Sequence, residues 1–255
     1  MATGDSTNKR TVNPWLIAFT VSLATFMEVM DTSIANVSLR YIAGSVGADQ
    51  SESTWVLTSY LVSNAIVVPI SGWLASVIGR KRFYMSCVAI FTLSSFACGL
   101  SFSLGSLLFC RVIQGIGGGG LAPSEQSILA DTFSPEKRGL AFAVYGIAVV
   151  VAPAIGPALG GWITDTYSWR WIFFINIPVG ILSLIMTYFL VQESPTAKKE
   201  HEKAVKGGIK VDYVGFALVA LGLGCLQVIL DKGQEDDWFG STFIVVFAIL
   251  SAIGI

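Results

Sequence analysis

Of the 255 residues, 53% are hydrophobic and only 13% are charged, with a formal net charge of −1. About a quarter of a soluble domain's residues are charged, so this composition excludes a soluble globular chain. It also excludes a disordered or collagenous one and, for want of basic charge, a nucleic-acid binder. What remains is an all-α polytopic membrane protein. Crossing a bilayer takes about 20 apolar residues in a helix, whereas barrel strands are about 10 residues long and alternate in polarity. The runs here are long and continuous.

In chain order, those runs predict helical spans at about 15–38, 54–75, 83–104, 106–130, 140–163, 171–191, 213–231 and 238–255. The first is not a cleavable signal peptide, because it lacks a small-residue cleavage site and contains Glu28 and Asp31. Residues 1–14 read as a cytoplasmic tail and 15–191 as a six-helix unit. Residues 192–212 read as a cytoplasmic linker, made flexible by Gly207-Gly208, and 213–255 as two further spans, the last ending inside an apolar run.

The loops alternate in basic charge. Lys9 and Arg10, then Arg80, Lys81 and Arg82, then Lys137 and Arg138, then Lys198, Lys199, Lys203, Lys206 and Lys210 put twelve cations on one side. Arg40, Arg170 and Lys232 leave three on the other. The positive-inside rule therefore places the N-terminus in the cytoplasm.

Charge inside a bilayer is costly, and marks function by default. Glu28 and Asp31 in span one are three residues apart, hence about 60° apart on one helix face. Arg111 and Glu125 in span four also share a face, about 40° and 21 Å apart, and Gln114 and Gly118 lie on it with them. Two facing polar stripes imply a water-filled path. Burial favours the neutral carboxyl and a neighbouring Arg the ionised one, so Asp31 beside Arg111 suits proton exchange, with the alternative of a salt bridge that only fixes helix register. Glu28, Gln114, Gly118 and Glu125 would line the cavity. Glu125, about one turn from the cytoplasmic end, has the alternative of snorkelling to water.

Gly115-Ile116-Gly117-Gly118-Gly119-Gly120 fits the spacing of a dinucleotide loop, but no strand precedes it and no acid follows about 20 residues on. Gly115 and Gly119 fit close helix packing instead. Pro153, Gly156, Pro157, Gly160 and Gly161 in span five predict a kinked, closely approached helix. Trp169-Arg170-Trp171 reads as an interfacial anchor. Cys87, Cys98, Cys110 and Cys225 show no metal or disulfide spacing, and His201 sits in a solvated Lys/Glu-rich stretch. No metal, cofactor or enzyme constellation is indicated.

Together these motifs resemble the major facilitator superfamily, and more narrowly the fourteen-span drug/proton antiporters of the EmrB/QacA type. Met30-Asp31-Thr32-Ser33-Ile34-Ala35-Asn36-Val37 is similar to that family's span-one pattern, and Arg111-Val112-Ile113-Gln114-Gly115 to its span-four pattern. Gly72 through Gly79-Arg80-Lys81 is similar to the superfamily's cytoplasmic loop motif, and Pro153 through Gly161 to the antiporter helix. Trp169 through Gly180 is similar to the span-six signature. Ser76 and Val77 stand where the loop motif has Asp and Arg, which places its charge network in question.

The resemblance implies an N-terminal major facilitator six-helix bundle plus the first extra central helices, with the chain a fragment or truncated product of a longer transporter. It implies proton coupling through Asp31 and Arg111, with Glu28 beside them, and export of amphipathic toxic compounds from a plasma (inner) membrane. A periplasmic adaptor and an outer-membrane channel are the partners it suggests. The alternatives are export of an anionic metabolite or fatty acid, with Arg111 as its partner, and an inert or scaffold fragment. The charge asymmetry yields a test: on a cysteine-free background in intact cells, an impermeant thiol reagent should label Glu235→Cys and spare Glu200→Cys. The reverse pattern would invert the topology.

Overall fold

The computed structural model describes residues 13–206 and 212–255, and among these every regular element is helical. In order they are α1 (Pro14–Val46), α2 (Gln50–Ser53), α3 (Trp55–Ile78), α4 (Arg80–Leu100), α5 (Leu104–Gly119) and α6 (Leu121–Thr132). There follow α7 (Pro135–Thr166), α8 (Trp171–Phe174), α9 (Asn176–Leu190), α10 (Pro195–Lys206), α11 (Tyr213–Lys232) and α12 (Thr242–Gly254). Seven helical stretches are long and apolar enough to cross a membrane, counting α2–α3, α5–α6 and α8–α9 as one each. Lys9, Arg10, Gly207, Gly208 and Lys210 lie outside the described residues.

The predicted spans are all helical, but their ends and continuity differ. The first helix runs on to Val46 because Glu28 and Asp31 are satisfied within the bundle and do not stop it; Gly47, at φ +67°, ends it. Asn13 caps its start by accepting from the Trp15 amide at 3.0 Å. Span four divides at Gly120 and span six at Ile175. The eighth stretch opens with a 3-10 turn, Trp238–Gly240, before the 13-residue α12.

The linker is not simply polar coil. Residues 195–206 form α10, with Pro195 at its start, the Ser194 hydroxyl accepting from the Ala197 amide at 3.0 Å and Glu202 and Lys206 paired one turn apart at 3.8 Å. Ala197 is buried, and His201 is held rather than solvated, its Nδ1 3.1 Å from the Ser76 carbonyl oxygen. Trp169 also departs from expectation. It is buried against Phe173 with the Arg170 guanidinium 4.5 Å over its ring, while Trp171 stays exposed. Two flanking indoles cannot both face outward on the bend that joins α7 to α8.

Within lipid there is no hydrophobic drive between helices, so association depends on close fit and polar contacts. The glycine run supplies the fit. A Cβ on Gly115 would overlap Ser63 and the Tyr60 carbonyl of α3, and one on Gly119 would lie 2.5 Å from the Asn64 carbonyl oxygen. On the other side of the same helix, a Cβ on Gly117 would lie 2.7 Å from the Phe91 nitrogen and 2.9 Å from the Cys87 oxygen of α4. α5 is thus wedged between α3 and α4, backbone against backbone. Two apolar clusters fill the bundle, one including Val21, Met27, Phe91 and Leu129, the other Ile34, Ile42, Leu107 and Phe173. Glu28 and Asp31 sit on α1 where one cluster gives way to the other.

A single added methyl should show this dependence. Gly115→Ala should destabilise the purified protein by about 1–3 kcal/mol, the range for an overpacked contact. At Gly72 an added methyl would meet nothing within 4 Å, so Gly72→Ala should stay within about 0.5 kcal/mol of the parent. Denaturant unfolding in detergent measures both.

Candidate functional site

Four helices bring the central network together. Asp31 on α1 receives Arg111 Nη1 at 2.6 Å on one carboxylate oxygen, and Gln114 Nε2 at 3.1 Å and Asn176 Nδ2 at 2.6 Å on the other. Arg111 Nη1 also donates to Gln114 Oε1 at 2.7 Å, and its Nε to the Val56 carbonyl at 3.0 Å. Asp31, Arg111, Gln114 and Asn176 are all buried, Arg111 at 0% exposure. The guanidinium lies 4.4 Å from the Tyr60 ring centroid and 5.7 Å from that of Phe173, so aromatic faces add to its support. One guanidinium nitrogen, Nη2, has no partner.

Glu28 lies one turn along the same face of α1. Its Oε1 accepts from Asn64 Nδ2 at 2.9 Å and from the Tyr60 hydroxyl at 3.1 Å. Gly118 makes this possible, since a Cβ there would come within 3.2 Å of that oxygen and 3.0 Å of the Asn64 nitrogen. The two expected stripes therefore meet, with Asp31, Arg111 and Gln114 in direct contact and Glu28 and Gly118 beside them.

Glu125 is placed apart, bonded to the Thr25 hydroxyl. Its exposure is 0%, so it does not snorkel to water. The reason is that α6 turns that face inward against α1 rather than toward the helix end.

Charge and spacing alone do not single out Asn176, Tyr60 and Asn64. Neutral polar residues in spans are common packing groups; the available signal was an Asn standing inside the apolar run 171–181. Asn176 also donates to Ser95 at 3.0 Å, which ties α9 to α4 as well as to α1.

The span-five motif divides by face. A Cβ on Gly156 would run into Ser33, and one on Gly160 would sit 3.0 Å from Ile34 Cγ2, so both glycines press on α1. Pro153 and Pro157 are exposed, Gly161 has open space, and α7 continues through both prolines. The Pro153 carbonyl accepts from the Ser33 hydroxyl at 3.3 Å.

The loop motif carries charge contacts despite Ser76 and Val77. Arg80 reaches Asp131 and Glu200, each at 2.6 Å, and Ser194 donates to Asp131 at 2.6 Å. Lys81 donates to the Tyr188 carbonyl at 2.7 Å. Gly79 has φ +97°, a conformation that favours glycine, and closes against Glu193; Gly72 faces open space. Among the described residues no His, Cys, Asp and Glu cluster fits a metal ion.

Residues 21–255 match the family described as the Major Facilitator Superfamily. The chain is 44% identical over 238 residues to the "Multidrug export protein EmrB" of Haemophilus influenzae, covering 93% of this chain and 45% of that one. It is 43% identical over 237 residues to the "Fatty acid resistance protein FarB" of Neisseria gonorrhoeae, with coverage of 93% and 45%. The chain thus spans about half the length of the curated relatives it matches. The solved proton:xylose symporter XylE bound to 6-bromo-6-deoxy-D-glucose superposes with a TM-score of 0.65 at 16% identity, covering 88% of this chain and 54% of that one, a likeness of fold.

Removing either partner leaves the other charge buried. After Asp31→Asn, Arg111 keeps the Val56 carbonyl, Gln114, the new amide oxygen and two ring faces, so the cost should fall below the about 3–5 kcal/mol of an uncompensated break. The Asp31→Asn, Arg111→Gln double variant should cost less than the two single changes together. A double-mutant cycle on unfolding in detergent checks this, and additive single costs would contradict it.

Proposed function

This chain belongs to the major facilitator superfamily, and from that premise we propose that it works in a proton-driven multidrug efflux transporter, exporting amphipathic toxic compounds by alternating access. The observation that carries the proposal is the Asp31–Arg111 pair, which joins α1 to α5 within a multi-pass bundle with both side chains buried. Likeness to the relative named a multidrug export protein supports the substrate class.

The coupling follows from electrostatics. An ionised Asp31 draws Arg111, Gln114 and Asn176 onto α1 and holds α1, α5 and α9 together. A proton on Asp31 removes the anion, weakens those three contacts and leaves Arg111 to its remaining carbonyl, amide and ring partners. α1 is then freer to move against α7, where Gly156 and Gly160 present bare backbone to Ser33 and Ile34. A proton on Asp31 and substrate in the cavity compete, so proton uptake displaces substrate and an inward proton gradient drives it outward. Glu28, Gln114 and Gly118 border that cavity in this reading.

The likeness to FarB favours a second reading, in which the exported amphiphile is an anion such as a fatty acid. The unpartnered Nη2 of Arg111 is the donor it would use. A plasma-membrane location with a cytoplasmic N-terminus, and a periplasmic adaptor with an outer-membrane channel, belong to the same proposal and rest on charge asymmetry and on the motif resemblance.

The test is efflux under an imposed pH step, measured with membrane abundance for variants of the intact, natively encoded protein. Asp31→Asn keeps the shape and loses the titratable group, and should cut gradient-driven efflux by more than about tenfold with abundance largely kept. Arg111→Lys should also fail, since a point charge does not replace the planar fork. Normal driven efflux in Asp31→Asn would refute the proton role; efflux and protein lost in parallel would favour a register-fixing salt bridge. Running a cationic dye and a long-chain fatty acid side by side separates the two substrate readings.

A further inference from the structure

Below Asp31 the polar face of α1 continues in steps of three residues through Glu28 and Thr25 to Ser22, so Asp31 and Thr25 are about 9 Å apart along the axis. Each step meets a different partner: Arg111 for Asp31, Tyr60 and Asn64 for Glu28, Glu125 for Thr25. Glu125 is the anomaly in this ladder. It is fully buried, forms no ion pair among the described residues and has Thr25 as its one hydrogen-bond donor. Its Oε1 has no partner, and neither have the buried hydroxyls of Ser124 beside it and Ser22 one turn below Thr25. The titratable groups that face it are Glu28 on α1, Tyr84 and Cys87 on α4, and Tyr145 on α7, with no cation among them.

A carboxylate in such a place has nothing to offset its lost hydration, so the neutral acid is the form this conformation holds. A group that fixed helix register alone would be better served by an amide. One turn beyond Glu125 on the same helix, Ile128 lines a cavity of about 690 Å³ that also touches Ile17, Arg80, Lys81 and Asp131. Glu125 thus stands between the Glu28–Asp31 face and an opening at the Arg80 end of the bundle.

We propose that Glu125 is a second proton-binding site, through which protons taken up at the Asp31–Glu28 face leave toward the Arg80 end. When the bundle opens toward the Arg80 end and water from the cavity at Ile128, one turn away, reaches Glu125, Glu125 gives that water its proton and becomes a carboxylate. The Thr25 hydroxyl, hydrogen-bonded to Glu125, then passes its own proton to it and takes one on its oxygen, through an intervening water, from Glu28 one turn along α1, so Glu28 becomes the carboxylate and one proton has moved down the ladder. Glu28 is refilled from Asp31.

This inference rests on the proton-coupled reading, and its test separates the two. In vesicles carrying the intact, natively encoded protein, substrate efflux driven by a pH step is compared with substrate counterflow at equal pH on both sides. Glu125→Gln should lower the ratio of driven efflux to counterflow by about tenfold or more, and Glu125→Asp should recover part of it. Thr25→Val should lower the same ratio and Thr25→Ser restore it; this pair decides the question if Glu125→Gln accumulates poorly. A wild-type ratio in both Glu125→Gln and Thr25→Val overturns the second site, as does an equal loss of counterflow and driven efflux. If the parent itself shows no response to the pH step, it is the proton-coupled reading that fails.

Discussion

Everything in this bundle is arranged around one unfavourable act, the removal of Asp31 and Arg111 from water. An isolated charge in the hydrocarbon region is expensive, and a pair is tolerated only when its remaining lone pairs and protons are also met. Here the requirement recruits α3 through the Val56 carbonyl, α5 through Gln114 and α9 through Asn176. Helix positions that lipid packing would leave loosely defined are thereby set by hydrogen-bond geometry. The same logic accounts for the glycines: α3, α4 and α5 must approach backbone to backbone for a side chain on α1 to reach all of these groups, and Gly115, Gly117 and Gly119 allow it.

The outer part of the molecule repeats this principle at smaller scale. Lys232 at the end of α11 is buried at 3% exposure and donates to Thr54, to the Ser51 carbonyl at 3.4 Å and to Glu235 at 2.9 Å, with the Trp55 ring 5.4 Å away. Asp231 beside it accepts from Thr58. Together with Trp73 against Phe216 near the opposite end of α3, these contacts fasten an added helix to the bundle at both ends. As sequence, Lys232 counts merely as a loop cation, because a charge at the end of an apolar run looks the same whether it faces water or a neighbour.

That example marks where sequence is informative. Length and apolarity reveal spans because the bilayer imposes one thickness on all of them, and embedded charge reveals Asp31, Glu28 and Arg111 because lipid admits it only for cause. Spacing on a helix even placed Gln114 and Gly118 on the Arg111 face. The partners supplied by other helices were not visible: Asn176, Tyr60 and Asn64 are ordinary polar residues until tertiary packing aims them at a carboxylate, and a backbone carbonyl such as that of Val56 leaves no trace in composition. Helix α10 was hidden for the opposite reason, since a Lys/Glu-rich stretch after a proline reads equally as solvated coil or as a helix paired one turn apart. Its burial of Ala197 and the contacts of Glu200 and His201 are properties of the surface it lies on.

A network this complete would make a rigid object if all its contacts were equal, and they are not. Those of α5 with α3 and α4 are backbone against backbone, joined by Arg111 on the Val56 carbonyl and the Tyr60 ring and with no carboxylate among them, so protonation of a carboxylate on α1 leaves them in place. Those between α1 and α5 pass through carboxylates, whose strength as acceptors falls when a proton binds. Those between α1 and α7 rest on bare glycine surfaces and on two hydroxyl contacts, Ser33 to the Pro153 carbonyl at 3.3 Å and, toward the far end of α1, Tyr41 to the Asp165 carboxylate. In the proposed cycle this division would make α3, α4 and α5 a frame and α1 the element whose seating depends on protonation, with α7 as the surface it slides on. Carboxylates placed on α3 or α4 would have loosened the frame instead. The buried carboxylates lie instead on α1 and on α6 opposite it, so in the proposed cycle the electrostatic change would be confined to one seam, which is what a proton needs if it is to move a helix without melting the bundle.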